Sequence, residues 1–410
     1  MDTWKEFVSE RLELTEYQLA RRRTYLKIDL DILTENVSIL KSLCSQNTDI
    51  LAVLKGNAYG HGSIEVGKHL RDIGVRHFAV ASPWEAIELR KAGIESFIQI
   101  FGNACEEEIP DLLEYDLVPT VGSVEFLEEW ALYTQDSCPN YLLQSTYPDE
   151  TRRQIVIKVD TGMSRNGFQP EMLDDVVNYC DEKGIKIHSI MTHFAAAWDN
   201  PQFTSLQLET FLNVAAKYRS RGIKLHAANS AGTLLGYGTE LDFVRPGIAM
   251  YGLPPDTTEM AISMYQRLGL RPILSWMAKP NLVKTMSEGR CVGYDKTYRC
   301  SEGEVIATIP LGYADGFNRL LSGRGIITTE NGSECPVIGR VSMDAISVRL
   351  PQNEEQCKNF YIFKNDFTSP NSVVELAKQL QTITYDVTTS LAARLARVYS
   401  NKGTIYLTRA

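Results

Sequence analysis

The chain has 410 residues, more than one ordinary domain, and 44% of them are hydrophobic, enough for one large core or two smaller ones. A formal charge of -9 leaves no basic excess to neutralise phosphates, so a general nucleic-acid or anionic-membrane surface is excluded and small-molecule partners are expected. The eight cysteines include no CxxC pair, acids stand at Asp2, Glu6 and Glu10 instead of an apolar leader, and no apolar run reaches about 18 residues. These features lead us to expect a cytoplasmic protein with reduced thiols, no metal site and no membrane span.

Residues 1–23 carry Trp4, Phe7, Val8, Leu12 and Leu14 among charges and end in Arg21, Arg22 and Arg23. A docked amphipathic helix, a frayed extension and the remnant of a fused segment all fit this pattern. From Tyr25 short β-rich runs alternate with helical runs whose apolar residues recur every three or four positions, as at Leu33, Val37, Leu40 and Cys44. Ile50, Leu51, Val53 and Leu54, with Ala52 between them, lack polar alternation and read as a strand buried on both faces. Lys55 then stands at the C-terminal end of a strand, followed by Gly56, Gly60 and Gly62.

In parallel α/β folds that end faces the ligand crevice. A lysine there either packs its stem on the rim with its amine in water or forms a Schiff base with an aldehyde cofactor. Further along, Phe78–Ala81 reads as a strand, and Ser82, Pro83 and Glu85 supply an N-cap, a first helical residue and a capping-box partner for a helix that Gly93 ends. Strands are also expected at Phe97–Phe101, Val118–Val121, Ile155–Val159, Ile187–Thr192, Leu225–Ala228 and Phe243–Pro246. After Pro254 and Pro255 the rhythm changes to ILSWMA, NLVKTM, EVIATIP, GIITT, CPVIGR and AISVRL, with a helix near Val373–Leu380. That change predicts a smaller, mostly β domain from about residue 266.

The segment AVLKGNAYGHG resembles the cofactor-lysine signature of the alanine racemase family, pyridoxal-phosphate enzymes built as a (β/α)8 TIM barrel followed by a β-rich domain. The resemblance recurs over most of the chain. It implies an extension at 1–23, a pyridoxal 5'-phosphate-binding barrel at 24–265 and a C-terminal β domain at 266–410. With Tyr25–Ile28 and the strand before Lys55 there are nine strand candidates where a barrel needs eight. The first has no preceding helix and is expected to pair with the second domain.

The remaining roles are those that the resemblance implies. HAANSAG at 226–232 and VRPGIAMYG at 244–252 match phosphate-binding segments, giving Ser230 through its hydroxyl, Gly247 and Ile248 through their amides, and Tyr59 through its phenol. Arg245 would face the pyridine nitrogen, where a fixed cation disfavours protonation and leaves the ring a weaker electron sink. In KVDTGMSRNG, Arg165 would face the substrate carboxylate and Lys158 matches a lysine that can be carbamylated; Asn166 departs from the usual apolar residue. His193 in MTHFA would link the pyridine-facing arginine to the catalytic tyrosine. Trp84 and the other histidines read as packing or surface residues.

In CVGYDKTY, LGYADGFNRL and IGRVSMDAI the resemblance makes Tyr294 the second base, Tyr313 a residue of the substrate entry, and Met343 with Asp344 neighbours of the substrate carboxylate. In the family these four come from the neighbouring subunit, so a homodimer with shared sites is implied. Near the C-terminus Ala393 and Ala396 stand where the family has a tyrosine and a proline, although Arg394 and Arg397 keep the register.

These motifs together predict two-base racemisation of L- and D-alanine, Lys55 serving the D-enantiomer and Tyr294 the L-enantiomer, to supply D-alanine for cell-wall peptide. The alanine for tyrosine at 393 leaves a serine-directed or broader racemase as the alternative. A pyridoxal-phosphate-binding homeostasis protein would lack the second domain, and a barrel-plus-β decarboxylase would pair the ring nitrogen with an acid where Arg245 stands.

Overall fold

The computed structural model describes residues 11–13, 22–134 and 153–408, and they fall into two compact units. Most of the proposed N-terminal extension, residues 1–10 and 14–21, lies outside the described residues. One unit comprises Val37–Ala58 and Ser63–Gly247. The other gathers Tyr59–Gly62 and the described residues of 8–36 and 248–410.

The first described strands, β1 (Arg11–Glu13) and β2 (Thr24–Asp29), belong to the second unit. The first unit is a closed barrel of β3 (Asp49–Val53), β4 (His77–Val80), β5 (Phe97–Ile100), β6 (Val118–Val121), β7 (Gln154–Lys158), β8 (Lys186–Met191), β9 (Lys224–His226) and β10 (Phe243–Val244). All neighbours run parallel, and β10 closes onto β3 through Phe243↔Asp49 and Val244↔Ile50. Four successive residues, Ile50 to Val53, are buried on β3, and the same holds for all of β6. The unbroken apolar runs are therefore strands covered on both faces.

Register decides which side chains share a level. Lys158 pairs with Met191 and Met191 with His226, so the ends of β7, β8 and β9 form one tier at the C-terminal mouth. The opposite end is filled by aromatics: Phe97 stacks on His188 at 4.2 Å and His77 meets Phe243 at 4.7 Å. Burial pulls His188 down to about 3 and His77 to about 4, so both rings are neutral packing elements.

The second unit is built on one sheet with β11 (Leu274–Ala278), β12 (Leu282–Met286), β15 (Glu304–Ile309), β16 (Ile326–Thr329), β17 (Glu334–Ile338), β18 (Ile346–Arg349), β19 (Phe360–Phe363), β20 (Arg397–Asn401) and β21 (Thr404–Thr408). Its order is β1-β21-β20-β2-β11-β19-β16-β17-β18-β15-β12, while β13 (Cys291–Val292) and β14 (Tyr298–Arg299) form a separate hairpin. As expected, β2 stays out of the barrel: it runs antiparallel to β11, with Leu26 opposite Trp276, and parallel to β20. Trp276 packs edge-on against Phe363 at 5.9 Å and Phe317 at 6.4 Å, giving this sheet its own core. The helix Val373–Leu380 forms where the sequence predicts it; β13, β14, β19, β20 and β21 were not foreseen, nor was β1, a strand paired with β21 inside the segment read as a docked helix, a frayed extension or a fused remnant. No helix among the described residues is long and apolar enough to cross a membrane.

Candidate active site

Lys55 follows the buried end of β3 by two residues, and the backbone then turns the wrong way. Gly56, Asn57, Ala58 and Tyr59 have φ of 62°, 54°, 54° and 53°, a run of left-handed residues that costs roughly 1–2 kcal/mol for each one bearing a Cβ. The run is held at both ends. Glu85 Oε1 accepts Gly56 N–H at 2.6 Å while Oε2 accepts Ala81 N–H at 2.7 Å and Ser82 N–H at 3.3 Å, and Asn57 Oδ1 accepts Ser63 N–H at 2.8 Å. Glu85 was expected only to cap its own helix; it also fixes the peptide next to Lys55. Burial lowers the Lys55 pKa, the Arg165 guanidinium lowers it further, and Glu85 opposes both.

Arg245 follows β10 directly and is almost wholly enclosed, 3% exposed. Nη2 donates to Thr192 O and to Ala227 O, each at 2.7 Å, and lies 3.4 Å from His193 Nδ1. Nη1 donates to His226 Nδ1 at 2.9 Å, so Nε2 of His226 carries that ring's hydrogen and donates it to Ser189 Oγ at 3.0 Å. None of these bonds uses Nε. Burial pulls Arg245 down to about 9, which leaves it protonated at neutral pH, and no carboxylate stands among these partners. Burial and then Arg245 push both His193 and His226 well below the usual imidazole range, so both are neutral. The result is one fixed positive charge held by dipoles and left uncancelled.

The end of β7 and the loop after it bring two more cations, Lys158 and Arg165. Asp160 Oδ1 accepts the N–H groups of Gly162, Met163 and Ser164, each at 3.0 Å, which folds the turn that carries Arg165. Lys158 donates to Asn166 Oδ1, and Asn166 Nδ2 donates to Asn103 Oδ1 at 2.7 Å. The polar side chain at 166 thus has two partners. Burial, Arg165 and Arg245 bring Lys158 down to about 8, against the pull of Asp160. Gln207, fully buried on the helix Pro201–Ala215, accepts Ala195 N–H at 2.9 Å and donates to His193 O at 3.2 Å, tying down the segment after β8.

Ser230 heads the short helix Ser230–Leu235, and its Oγ accepts Gly247 N–H at 2.9 Å. A hydroxyl from beyond β9 and an amide from beyond β10 thereby meet. In the second unit Ile248 is buried, and Tyr59 packs between Tyr251 at 5.3 Å and Tyr385 at 5.8 Å. Gly60, with φ of 86°, admits the carbonyl of Thr388: a Cβ there would lie 2.0 Å from it.

The other sequence-predicted residues lie on loops of the second unit. Tyr294 occupies a tight turn after β13 and is 70% exposed, Tyr313 43% and Met343 53%. Tyr313 N–H donates to Ser342 O and Ala314 N–H to Met343 O, each at 3.1 Å, so the Tyr313 and Met343–Asp344 turns are neighbours. Ala393 is exposed, and Arg394 beside it reaches both Asp315 and Asp344.

Lys55, Lys158, Arg165, His193 and Arg245 are thus brought into one electrostatic cluster within the first unit, each of the four cations depressing His193. Sequence reasoning missed His226, which it left among packing histidines; its place as the first residue of HAANSAG was the available signal. It also missed Gln207, whose helix carries no distinguishing pattern.

The family model for the alanine racemase N-terminal domain matches residues 28–255, and that for the C-terminal domain matches 273–399. An alanine racemase of Halothermothrix orenii is 34% identical over 388 residues, covering 93% of this chain and 98% of the relative. Among solved structures, an alanine racemase of Clostridium difficile 630 superposes with a TM-score of 0.83 at 28% identity, covering 95% of this chain and 98% of the other. An alanine racemase from Bartonella henselae with covalently bound pyridoxal phosphate gives a TM-score of 0.77 at 26% identity, covering 92% and 100%.

Proposed function

The chain belongs to the alanine racemase family and is an amino-acid racemase, and from that premise we propose how its residues divide the work. Alanine is the substrate; the serine-directed alternative is not favoured, since the relatives named above are alanine racemases. Pyridoxal 5'-phosphate is the proposed cofactor, joined to Lys55. When bound, it supplies an aldehyde carbon for an amine and a conjugated ring that draws electrons from the substrate α-carbon. The donor set suits that anion: the Ser230 hydroxyl, the Gly247 and Ile248 amides and the Tyr59 phenol for its phosphate, among cations at Lys55, Lys158, Arg165 and Arg245.

The observation that carries the reading is Arg245, a buried cation with no carboxylate partner among the described residues. Placed at the ring nitrogen it disfavours protonation there and restrains electron withdrawal, which favours returning the proton over side reactions. Lys55, with its depressed pKa, holds a neutral amine more readily than a free lysine and takes or gives the α-proton on one face. Tyr294 does so on the other. Arg165 receives the substrate carboxylate, and Arg245, with the neutral His193 beside it, is the positive charge proposed to face the phenol. Met343, Asp344 and Tyr313 border the substrate, as does Ala393.

The exposure of Tyr294, Tyr313 and Met343 supports a homodimer in which they complete the partner's site. Carbamylation of Lys158 would set an anion beside Arg165 in place of a second cation. D-alanine for cell-wall peptide, made in the cytoplasm, is the proposed product. Borohydride reduction followed by peptide mapping tests the assignment: label belongs on Lys55, and label on another lysine sinks it.

A further inference from the structure

The turns carrying Tyr313 and Met343 come from different loops of the second unit, and two backbone hydrogen bonds, Tyr313 N–H to Ser342 O and Ala314 N–H to Met343 O, join them. Gly312 makes that approach possible: a Cβ there would lie 2.1 Å from Ser342 O and 2.4 Å from Met343 O. These two hydrogen bonds join the backbones of the turns, while the Tyr313 and Met343 side chains project from them with much of their surface exposed.

A third strut joins the same turns. Arg394 Nε donates to Asp315 Oδ1 at 2.7 Å, and Nη2 donates to Asp344 Oδ1 at 2.6 Å. Asp315 is buried and its other oxygen accepts Gly312 N–H at 2.9 Å, while Ala392 N–H donates to Asp315 O at 3.1 Å. One arm of the guanidinium is therefore anchored on a buried carboxylate that also accepts a backbone N–H, and the other holds the exposed Asp344. We infer that Arg394 is a positioning residue of the racemase reaction, a strap that sets the Met343–Asp344 turn against the Tyr313 turn. The inference rests on the proposal that these turns border the substrate.

The chemistry favours alignment over stability as its use. The guanidinium is planar, so two nitrogens bound to two different carboxylates fix the angle between them, which an ammonium point charge cannot do. The outer pair is largely exposed, the side chains of Arg394 and Asp344 being 50% and 63% accessible, and such a pair adds little to folding.

The test uses the cofactor-loaded enzyme and initial rates with alanine, the cofactor band and circular dichroism reporting the fold. Arg394→Ala is expected to raise KM about tenfold or more with a smaller change in kcat, since displaced binding groups lose orientation before chemistry. Arg394→Lys should fall between it and wild type, and millimolar guanidinium should restore part of kcat/KM to Arg394→Ala. An unchanged KM overturns the inference, as does a loss that guanidinium leaves unrescued in a normally folded protein. If Arg394→Ala does not fold, Asp344→Asn, which weakens the outer arm alone, should raise KM, and an unchanged KM there overturns it equally. Full racemisation by Tyr294→Phe would instead overturn the proposed function, whereas an inactive Tyr294→Phe beside a silent Arg394→Ala overturns the strap alone.

Discussion

The residues proposed to hold the cofactor and those proposed to meet the substrate live in opposite environments. At the barrel mouth Arg245, His193 and His226 are enclosed, bonded from behind by backbone carbonyls and Ser189, and shifted by burial and by one another. On the second unit Tyr294, Tyr313 and Met343 project from turns with much of their surface exposed. The difference teaches that the first group is preorganised by the fold of one chain, while the second group is only presented, its surroundings left to whatever covers it.

The sharpest way to break this contrast is at its two bases. Lys55→Ala should abolish both the visible cofactor band and racemisation, read by absorbance and chiral product analysis; a surviving band would move the attachment elsewhere. Tyr294→Phe should keep the band and lower racemisation by about 10²–10⁴-fold, the usual worth of a positioned acid–base group, with α-deuterium exchange retained for one enantiomer only. If the presented residues complete a partner's site, mixing these two inactive variants should restore partial activity once subunits exchange; proven exchange without recovery would mean each chain is self-sufficient.

The enclosed region can be probed by stability. Arg245→Ala strands Thr192 O, Ala227 O and His226 Nδ1 in the interior, and urea unfolding should show a loss of about 3–5 kcal/mol. Lys158→Met should act in the opposite direction and more weakly. Folding lowers that amine from 10.5 to about 8, so between those values the unfolded chain binds more protons and stability rises with pH. Its burial penalty is therefore full below about 8 and fades toward 10.5. In cofactor-free protein the variant should be more stable by about 1–3 kcal/mol at pH 7, with the gain shrinking by pH 10. A loss of stability at pH 7 would favour a carbamate there, because removing an anion beside Arg165 leaves a cation unpaired.

Much of this was legible locally. The strand before Lys55, the capping box at Ser82 and Glu85, and the strand ends near Lys158, His193 and Arg245 follow from apolar runs and breakers, while the exclusion of β2 from the barrel follows from the count of strand candidates and from the family resemblance. The hairpin β13–β14 escaped notice because two-residue strands carry no period, and β20–β21 because their pairing is made by distant partners.

What the sequence by itself determined is therefore the succession of strands and helices, the family motifs and which residues stand at strand ends, since these depend on near neighbours and side-chain type. Only the tertiary structure decided that His226 faces Arg245, that Glu85 reaches back to Gly56, that Gln207 holds the His193 segment, and that Arg394 joins Asp315 to Asp344 across 79 and 50 residues. Each is a hydrogen bond between residues far apart in the chain, and its existence depends on register and closure of the barrel or sheet, which no local pattern encodes.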